Sequence, residues 1–434
     1  AAPADDGASQ QMRKANTPIE HFIVIMQENH SFNNYFGTYP GADGIPEGTC
    51  MPVDPFDESN TECVEPFLIG TNDVELADPD HSVRTHQIQV NDGKMDGFVY
   101  ALNNRNQDGR LAMGYYDDSH IPYYWNLADE FVLFDKFFSS YAGGSTENHF
   151  YWTSGFRGID DSGATIQDAP TIFDRLQEAG VTWKFYVQNY DPNLTYRTVD
   201  QYPSNRAAQI IWAPVLRLDR FIDDPELNKN IVDLSQYYED LKNGTLPQVA
   251  YMVPSGPSEH PPSNIQSGMR FVKTLIQMLT QSDYWEKSAF MITYDDWGGW
   301  YDHVYPPQVD EYGYGMRVPG LLVSAYAKKG HIDSTVLDYT SILKFIQENW
   351  DVEPLAERDA KATSFMSAFD FTQPPRERRF VPLERGDGTQ KPEPNRAVIF
   401  LIYGSGLGLA TLFLLFSFFW SSRRSRLERK TAEE

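Results

Sequence analysis

Short apolar runs alternate with helical patterns along most of this chain, and this alternation is the feature that most restricts its fold. Strand-length runs separated by helix-length patterns are typical of βαβ units, which build a mainly parallel sheet. We therefore predict an α/β fold. The predicted strands are His21–Gln27, 131–138, 182–187, Val249–Val253, 289–293 and Gly320–Ser324, and the predicted helices include 171–179, 268–288 and Tyr339–Trp350.

The composition places the chain among packed globular proteins and restricts its partners. With 434 residues it is long enough for one large α/β domain or two ordinary ones. Its apolar content of 41% is that of a folded protein rather than a disordered one. The formal net charge of -25 repels a phosphate backbone, so nucleic acid is excluded as a partner, and a polyanionic ligand would require a metal.

An uncharged stretch of 24 residues, 397–420, predicts a transmembrane helix near the C-terminus. At roughly 1.5 Å per residue it would be about 36 Å long, which is enough to cross a bilayer. The basic segment 421–434 predicts a cytoplasmic tail, with residues 1–396 on the outer side of the membrane. A buried core helix is the alternative interpretation. Three glycines in the stretch would allow a partner helix to approach closely: Gly404, Gly406 and Gly408.

Cys50 and Cys63 are the only cysteines in the chain, and they agree with an outer location. They flank a polar, proline-containing segment that a disulfide would constrain in an oxidising compartment. A metal site is the weaker alternative, because no further Cys or His pair lies at zinc spacing. The chain starts with small and polar residues, as expected after a signal cleavage site, and we predict a flexible segment over 1–17.

Two predicted strands run directly into pairs of oxygen-bearing side chains. Glu28 and Asn29 follow His21–Gln27, and Asp295 and Asp296 follow the strand in AFMITY. In open parallel sheets, ligands bind beyond the carboxyl ends of the strands, so neighbouring strands would bring four oxygen ligands together. Such a set favours Mg²⁺, Mn²⁺ or Ca²⁺ over Zn²⁺, although zinc also accepts carboxylates. A helix cap or a solvated turn is the alternative for each pair.

A candidate nucleophile follows the strand predicted over 131–138. A Gly-Gly turn leads to Ser145 at the expected start of a helix, where main-chain amides stabilise an alkoxide and bind an anionic oxygen. An ordinary N-cap serine, with Glu147 near the capping-box position, is the alternative. Thr146 is the second candidate nucleophile. The sequence contains no P-loop, dinucleotide-binding fingerprint or G-x-S-x-G elbow, which excludes the commonest other classes of site.

The chain has 9 histidines, few enough that their positions are informative. A histidine beside a reacting group can donate a hydrogen bond to developing charge or protonate a leaving group. A structural role with satisfied hydrogen bonds is equally compatible with each position. The candidates in polar or motif-like segments are His81, His86, His149, His260 and His303, the last of which follows Asp302 a short loop after the acid pair.

Several segments, in the same order, resemble the phosphoesterase family that contains bacterial and plant non-specific phospholipases C and the acid phosphatase A enzymes. This family is a branch of the alkaline phosphatase superfamily. Its pattern E-N-x-S-F-D-x-x-F-G is similar to ENHSFNNYFG, D-[DE]-x-x-G-x-x-D-H-V to DDWGGWYDHV at 295–304, and G-x-R-V-P to GMRVP at 315–319. GKMDGF at 93–98, EHPP at 259–262 and the two-cysteine loop are also similar, and the resemblance covers residues 18–352.

The resemblance implies an α/β/α sandwich around a mainly parallel central sheet, as in alkaline phosphatase. It also implies a metal-dependent hydrolysis in which Ser145 is the nucleophile and becomes phosphorylated. The physical argument agrees, because a metal polarises the phosphoryl oxygen and lowers the pKa of the attacking hydroxyl. The implied metal ligands are Glu28, Asn29, Asp295 and Asp296, and the implied contacts to the phosphoryl group are His86, His260, His303 and His149.

Three departures from the family pattern bear on the substrate. Asn33 stands where the family usually has Asp, which predicts a weaker contact to another motif residue. The T-R-P-N-R box of the phospholipase branch is STENH here, with Ser145 for the nucleophilic Thr and His149 for its second Arg. Asp296, rather than Glu, also resembles the acid phosphatase side. These departures favour a phosphomonoesterase over a lipase.

The first hypothesis is a membrane-anchored, metal-dependent phosphomonoesterase that acts in the periplasm or at the cell surface. Its partners would be a phosphoester substrate and, through the C-terminal helix, membrane lipid. The second is a phospholipase C-type phosphodiesterase, and the third is a catalytically weakened subunit of a membrane complex held by the glycine-bearing helix. The predicted organisation is a catalytic domain over 18–352, a closing tail and juxtamembrane linker over 353–396, the helix 397–420 and the tail 421–434.

Overall fold

The computed structural model describes most of the chain. The described residues are 13–70 and 76–385, together with Thr411 and Phe413. By their internal contacts the residues form two compact units, 1–385 and 386–434. The first of these contains every predicted site residue.

The predicted membrane segment lies outside the described residues, apart from Thr411 and Phe413. The same holds for the linker from residue 386 onwards, the basic tail 421–434 and residues 1–12 of the predicted flexible segment. Within the described ranges, no helix is both long enough and apolar enough to cross a membrane.

An eight-stranded sheet lies at the centre of the first unit. Its spatial order is β8-β2-β7-β6-β1-β5-β3-β4, and of these strands β7 alone runs antiparallel to its neighbours. The prediction of a mainly parallel sheet is therefore confirmed. In chain order the strands are β1 (His21–Gln27), β2 (Val132–Phe134), β3 (Trp183–Val187), β4 (Ile231–Asp233), β5 (Val249–Val253), β6 (Ser288–Tyr294), β7 (Gly320–Ser324) and β8 (His331–Asp333).

Helices and short turns connect these strands. The α-helices of the described residues are α1 (Phe32–Phe36), α2 (Val83–Val90), α3 (Phe98–Asn103), α4 (Pro122–Glu130), α5 (Ser145–Ser154), α6 (Ile172–Ala179), α7 (Ser204–Ala207), α8 (Gln209–Trp212), α9 (Asp219–Asp223), α10 (Pro225–Asn228), α11 (Ser235–Asn243), α12 (Ile265–Gln281), α13 (Tyr339–Trp350) and α14 (Glu357–Lys361). Turns of 3₁₀-helix lie at Asn91–Gly93, Gly109–Met113, Val199–Gln201, Pro214–Arg217, Trp285–Lys287 and Met366–Ala368. Two-stranded pairs join Met51–Pro52 to Cys63–Val64 and Phe67–Leu68 to Gly114–Tyr115.

The central strands are buried on both faces of the sheet. Successive side chains of a strand point to opposite faces, and every residue of β6 and all of β1 after its first residue are buried. Other elements therefore cover the sheet on both sides, as the predicted α/β/α arrangement requires. Among the helices, α4 and α11 pack against α12, whereas α6, α8 and α13 pack against α5.

Two predicted elements differ in length from the observed ones. The strand predicted over 131–138 is confined to Val132–Phe134, because β7 and β8 pair with these three residues alone. The helix predicted over 268–288 spans Ile265–Gln281. It begins earlier because Asn264 caps it, and it ends earlier because Ser282 is extended and a 3₁₀ turn at Trp285–Lys287 follows before β6 begins.

The disulfide predicted between Cys50 and Cys63 is confirmed, with the two Cα atoms 5.4 Å apart. The predicted closing tail also packs onto the domain. In that tail, Phe365 stacks on Phe345 of α13 at a centroid distance of 4.7 Å and lies 6.0 Å from the ring of Phe22 in β1. Residues beyond 352 therefore contribute to the same hydrophobic core as the catalytic domain.

Candidate active site

The ends of β1 and β6 bring the four predicted metal ligands to one edge of the sheet. These two strands pair in parallel, with Gln27 opposite Tyr294 as their last residues. The pairs that follow therefore leave the sheet side by side. Each of the four side chains is at most 2% exposed: Glu28, Asn29, Asp295 and Asp296.

The carboxylate of Asp295 holds the main chain of both ligand loops in place. The N–H groups of Asn29 and Asp296 both donate to Oδ1 of Asp295, at 3.1 and 2.8 Å. Asn29 adopts a left-handed conformation with φ of 64°, which asparagine tolerates better than most residues. Gly298 allows the second loop to approach, because a Cβ atom there would lie 2.1 Å from the main-chain oxygen of Asn29.

One oxygen of each predicted ligand is buried without a hydrogen-bond partner among the described residues. A buried polar atom without a partner costs about 1–3 kcal/mol, and more if it is charged. A hard divalent cation bound by oxygen ligands would satisfy all four atoms together. The residues present therefore fit such a cation. The atoms are Glu28 Oε1, Asn29 Oδ1, Asp295 Oδ2 and Asp296 Oδ2.

The pKa shifts of these carboxyl groups also indicate a cation as the ligand. Burial raises the pKa of Glu28 well above its usual value, and the carboxylates of Asp295 and Asp296 raise it further. Burial likewise raises the pKa of Asp296, with a second contribution from Asp295. Carboxylates that repel one another in this way are close together and are stabilised as anions by a bound cation.

A second group of potential metal ligands lies beside the first. Single ligand atoms of Asp78, His81 and His260 lie within 4.8 Å of one another. The carboxylate of Asp78 also raises the pKa of Glu28 and that of Asp296, so the two groups adjoin. Asp78 was not among the predicted site residues, although D-P-D-H at 78–81 has the composition of a ligand loop.

His81 orients one of the predicted metal ligands. Its Nε2 accepts a hydrogen bond of 3.1 Å from Nδ2 of Asn29, while its Nδ1 donates to the main-chain oxygen of Pro79 at 2.8 Å. With the amide nitrogen of Asn29 bound in this way, the oxygen of that amide remains for a cation.

Ser145 begins α5, directly after the Gly-Gly turn. The N-cap residue of the helix is Gly144, and Ser145 makes no side-chain cap bond, so the structure does not support the alternative of an ordinary capping serine. Asn148 holds the turn by accepting the N–H of Tyr141 at 2.9 Å and donating to the main-chain oxygen of Gly143 at 3.1 Å. The Ser145 hydroxyl is therefore not used to cap the start of the helix.

His149 connects the start of α5 with the carboxylates. It lies four residues after Ser145, on the same face of the helix, and its Nδ1 donates to the main-chain oxygen of Ser145 at 2.8 Å. Its Nε2 is buried without a partner among the described residues. Burial lowers the pKa of His149, and the charge of Asp295 opposes that shift, so His149 lies near the candidate metal site.

His86 is placed differently from the other predicted histidines. It is buried in α2, where its ring meets the ring of Trp297 edge-on at 5.2 Å. Burial alone lowers the pKa of His86 to about 4, without a contribution from any charged side chain. The structure therefore places His86 beside the loop that follows Asp296 but not among the carboxylates, and its contact with a phosphoryl group stays a prediction.

His303 belongs to a network that joins the three sequence motifs. Its Nδ1 lies 3.0 Å from Nδ2 of Asn33, and its Nε2 lies 3.1 Å from a carboxylate oxygen of Asp43. Buried Arg317 connects the same residues, because it donates to Oδ1 of Asn33 at 3.1 Å and to Oδ1 of Asp302 at 2.9 Å. The family's usual Asp at position 33 would face this guanidinium, and Asn33 keeps the contact as a neutral acceptor.

A sequence model of the Phosphoesterase family matches residues 19–353, which include every predicted catalytic and metal-binding residue. The chain belongs to the Phosphoesterase family. The match begins just before β1 and ends after α13, so it comprises the central sheet and both ligand loops of this phosphoesterase.

Curated relatives of this phosphoesterase are named phospholipases C. The non-hemolytic phospholipase C of Burkholderia pseudomallei is 28% identical over 435 residues, which cover 82% of this chain and 59% of that protein. Phospholipase C B of Mycobacterium tuberculosis is 29% identical over 424 residues, which cover 83% of this chain and 79% of that protein. The chain thus spans well under two thirds of the length of the Burkholderia protein.

Solved structures are more distant. A protein in the alkaline phosphatase superfamily from Vibrio parahaemolyticus is 11% identical, with a TM-score of 0.36, and the match covers 78% of this chain and 67% of that chain. A likeness this remote carries no argument about activity. The activity of this phosphoesterase is therefore inferred from its site geometry and its family membership.

Proposed function

We propose that this phosphoesterase hydrolyses phosphomonoesters with a divalent cation, Mg²⁺, Mn²⁺, Ca²⁺ or Zn²⁺, and through a phosphoserine at Ser145. The four buried oxygens without partners at the ends of β1 and β6 are the observation that supports this most directly. They would hold the cation through Glu28, Asn29, Asp295 and Asp296. When bound there, it would draw charge from a phosphoryl oxygen and lower the pKa of a nearby hydroxyl.

The first chemical step would use residues of α5 and of the EHPP loop. The hydroxyl oxygen of Ser145 forms a bond to phosphorus as the bond from phosphorus to the ester oxygen breaks, and the hydroxyl proton passes to Nε2 of His149. That nitrogen is an acceptor, because Nδ1 of His149 already donates to the main-chain oxygen of Ser145. The leaving oxygen takes a proton from Nε2 of His260, which in this step starts with a proton on both ring nitrogens, since its Nδ1 donates to the main-chain oxygen of Pro261 at 2.6 Å.

The second step returns the enzyme to its starting state. Water attacks the phosphoserine and gives a proton to His260, and the side-chain oxygen of Ser145 leaves with the proton held by His149. The products are inorganic phosphate and the free alcohol. Helix-start amides at α5 would stabilise negative charge on the side-chain oxygen of Ser145 in both steps.

The proposal is tested by metal analysis of the purified protein together with an assay of p-nitrophenyl phosphate hydrolysis. We expect a bound divalent metal and an activity that a chelator removes and added metal restores. A protein that hydrolyses the substrate equally well in the presence of chelator would contradict the assignment of the four oxygens.

Phospholipase C activity is the second candidate, and the names of the relatives favour it. A local observation agrees, because the ring of Tyr312, which is 36% exposed, lies 6.0 Å from the ring of Tyr141 in the turn before Ser145. An exposed aromatic side chain near the nucleophile suits an amphiphilic substrate. The two activities are separated by comparing phosphocholine release from phosphatidylcholine with phosphate release from a monoester.

A catalytically weakened role in a membrane complex is the third candidate. It is motivated by the departures from the family pattern at Asn33 and in STENH. The contacts of Asn33 with Arg317 and His303 count against it, because the motif network is complete without the family's Asp. Failure to hydrolyse a broad panel of phosphoesters, together with stoichiometric co-purification of membrane proteins, would favour this role.

We further propose that residues 397–420 anchor the chain in the cell membrane, with the catalytic domain in the periplasm or at the cell surface. The uncharged length of the segment supports this, and so does the disulfide, which forms in oxidising compartments. Carbonate extraction of membranes and protease treatment of spheroplasts, in which the outer face of the cell membrane is accessible, test it on the full chain. Release by carbonate would contradict the anchoring, and protection of the catalytic domain in spheroplasts would contradict the orientation.

A further inference from the structure

Glu259 is a buried carboxylate that accepts hydrogen bonds from four different elements or loops. It is 0% exposed. One of its oxygens accepts from the hydroxyl of Tyr124 and, at 3.0 Å, from Nε2 of Gln27. The other accepts from the hydroxyls of Tyr35 and Tyr294, each at 2.7 Å. Burial raises the pKa of Glu259 to about 7, and the hydrogen bonds from its four donors oppose that shift.

Two of these donors are the last residues of the two strands that lead to the candidate metal ligands. Gln27 ends β1 and Tyr294 ends β6, and they are opposite each other in the sheet. The next residues along the chain are Glu28 and Asp295. The Glu259 carboxylate is therefore bonded to both strand ends, one residue before each ligand pair.

The main chain of Glu259 adds a third connection. The following residue is His260, and the main-chain oxygen of the preceding Ser258 accepts the N–H of Glu28 at 2.9 Å. Nε2 of His30 donates to the main-chain oxygen of Glu259 at 3.1 Å. The loop that carries His260 is thus joined to the loop that carries Glu28 by both main-chain and side-chain bonds.

The position of Glu259 is restricted by its surroundings. Its φ of 71° lies in the left-handed region, which is uncommon for glutamate and occurs where contacts hold the backbone in place. Helix α12 packs closely on its side chain, because a Cβ atom at Gly268 would lie 2.1 Å from Cγ of Glu259. A residue held this firmly can set the distance between the segments it joins.

We propose that Glu259 is a positioning residue that sets the spacing between the two ligand pairs and His260, and thereby the affinity of the site for a divalent cation. This rests on the proposed function, in which Glu28, Asn29, Asp295 and Asp296 bind that cation. Glu259 itself contacts neither the cation nor the substrate in this proposal. It acts through Gln27, Tyr294 and its own main chain.

Two tyrosines make a matched test, because each donates one hydroxyl to Glu259. Tyr294 belongs to β6, which leads to Asp295, whereas Tyr124 belongs to α4, which carries no candidate ligand. Tyr294→Phe and Tyr124→Phe each remove a single hydroxyl and leave the ring in place. The two variants should lose similar stability, as thermal unfolding in the presence of a chelator will show.

Calorimetric titration of the full chain with Mn²⁺ alone separates positioning from a general structural role. We expect Tyr294→Phe to bind Mn²⁺ about tenfold more weakly or worse, as is usual for partners that orient metal ligands, and Tyr124→Phe to stay within about twofold of the wild type. Glu259→Gln keeps the shape but replaces one accepting oxygen by an amide NH₂ group, which cannot accept the two hydrogen bonds made there, so it should weaken binding at least as much as Tyr294→Phe. If both tyrosine variants bind like the wild type, or both weaken equally, the positioning role is wrong.

The wild-type titration distinguishes this failure from failure of the proposed function. A wild-type chain that does not bind Mn²⁺ or another of the four metals would overturn the metal site itself. A wild-type chain that binds Mn²⁺, alongside a Tyr294→Phe variant that binds it equally well, would overturn only the role of Glu259. If Glu259→Gln does not fold, the tyrosine pair alone decides the outcome.

Discussion

The main-chain N–H of Asn29 donates a hydrogen bond of 3.1 Å to Oδ1 of Asp295, which joins the loop after β1 to the loop after β6. Because Asp296 donates its N–H to the same atom, Oδ1 is occupied while Oδ2 has no partner among the described residues. A single carboxylate thus holds both loops together and offers one oxygen to a cation. Changes to this carboxylate should therefore affect the loops and the cation differently.

Replacing Asp295 by Asn should remove metal binding while keeping the loops joined, because an amide oxygen can still accept both N–H groups. In chelator, the variant should be at least as stable as the wild type, since one of the repelling charges near Glu28 and Asp296 is gone. When the free metal concentration is 100 times the Kd, the free energy of unfolding of the wild type should rise by about 2.7 kcal/mol, and that of the variant should hardly change. Thermal unfolding with and without Mn²⁺ measures both effects.

Asp240→Asn is the control for this experiment. Asp240 is also a buried carboxylate, but it has a cationic partner in the protein, with Nζ of Lys184 at 2.6 Å. Its replacement should destabilise the protein by about 1–3 kcal/mol, equally with and without metal. If Asp295→Asn behaved like Asp240→Asn, the Asp295 carboxylate would not be a metal ligand.

Ser145→Ala should abolish turnover and leave the fold intact, because Gly144 rather than Ser145 caps α5. Loss of a nucleophile lowers kcat by orders of magnitude, and we expect at least about 10³-fold here. The control is Thr146→Ala, which removes the adjacent hydroxyl and should retain activity. Mass spectrometry of the wild type quenched during turnover should find the phosphoryl group on Ser145, and a phosphate on Thr146 instead would reverse the assignment.

His86→Phe should reduce the sensitivity of the protein to acid. Folding lowers the pKa of His86 from 6.5 to about 4, so the unfolded chain binds a proton more readily than the folded one. Above pH 6.5 this group costs no stability, and as the pH falls towards 4 it should cost about 3 kcal/mol. Urea unfolding at several pH values measures the difference in slope between the wild type and the variant.

His331→Gln is the comparison variant, because it removes a histidine whose side chain is 38% exposed rather than buried. The same variants also test the predicted catalytic role of His86. Hydrolysis by His86→Phe at the wild-type rate would remove this residue from the phosphoryl contacts, whereas a large loss of kcat without loss of stability would support the role.

Arg317→Met should strongly destabilise the protein, because it leaves the buried carboxylate of Asp302 without its cation. The guanidinium also donates to the main-chain oxygens of Asp43 and Asp135 at 2.8 and 2.7 Å. Breaking a buried ion pair typically costs about 3–5 kcal/mol. Asn33→Asp provides the contrast: the new buried carboxylate faces Arg317, whose charge should offset part of the cost of burying it, so this variant should lose less stability than Arg317→Met. A mild effect of Arg317→Met would mean that the three motifs are not held together by this residue.

Gly298→Ala should damage the metal site specifically. Gly298 has φ of 61°, and a Cβ atom there would press on the main-chain oxygen of Asn29. Gly163→Ala is the matched control, since Gly163 has φ of 82° but no atom within 4 Å of the added Cβ. Backbone strain should lower the free energy of unfolding of both variants by about 1–2 kcal/mol. Gly298→Ala should lose more than this, because its Cβ clashes with main-chain atoms of Asn29, and only this variant should also lose Mn²⁺ affinity in calorimetry. Equal affinities would mean that the approach of Gly298 to Asn29 does not shape the site.

The strand pattern could predict that the two pairs of oxygen-bearing residues lie together, because it depends on local order along the chain. A buried strand followed by two oxygen-bearing residues is visible in HFIVIMQEN and again in AFMITYDD. The rule that ligands bind beyond the carboxyl ends of parallel strands then requires only that these strands be neighbours. The observed pairing of β1 with β6 meets that condition.

The histidines were harder to rank because their environment depends on distant parts of the chain. His81 and His86 lie five residues apart in one polar segment, and nothing local separates them. In the fold, His81 contacts Asn29, whereas His86 is buried against Trp297. Nothing local marks Glu259 either, since its four donors come from β1, α1, α4 and β6.

The sequence by itself therefore determined which residues end the strands and which hydroxyl begins a helix after a glycine turn, since periodicity and turn chemistry are local properties. The tertiary structure decided which distant side chains those residues contact. Long-range packing placed His81 on Asn29, bonded His303 into the Arg317 network, and brought Glu259 to both strand ends. Such contacts join residues as far apart in the chain as Asn33 and His303, which are 270 positions from each other. They form only when the whole sheet and its covering helices have assembled.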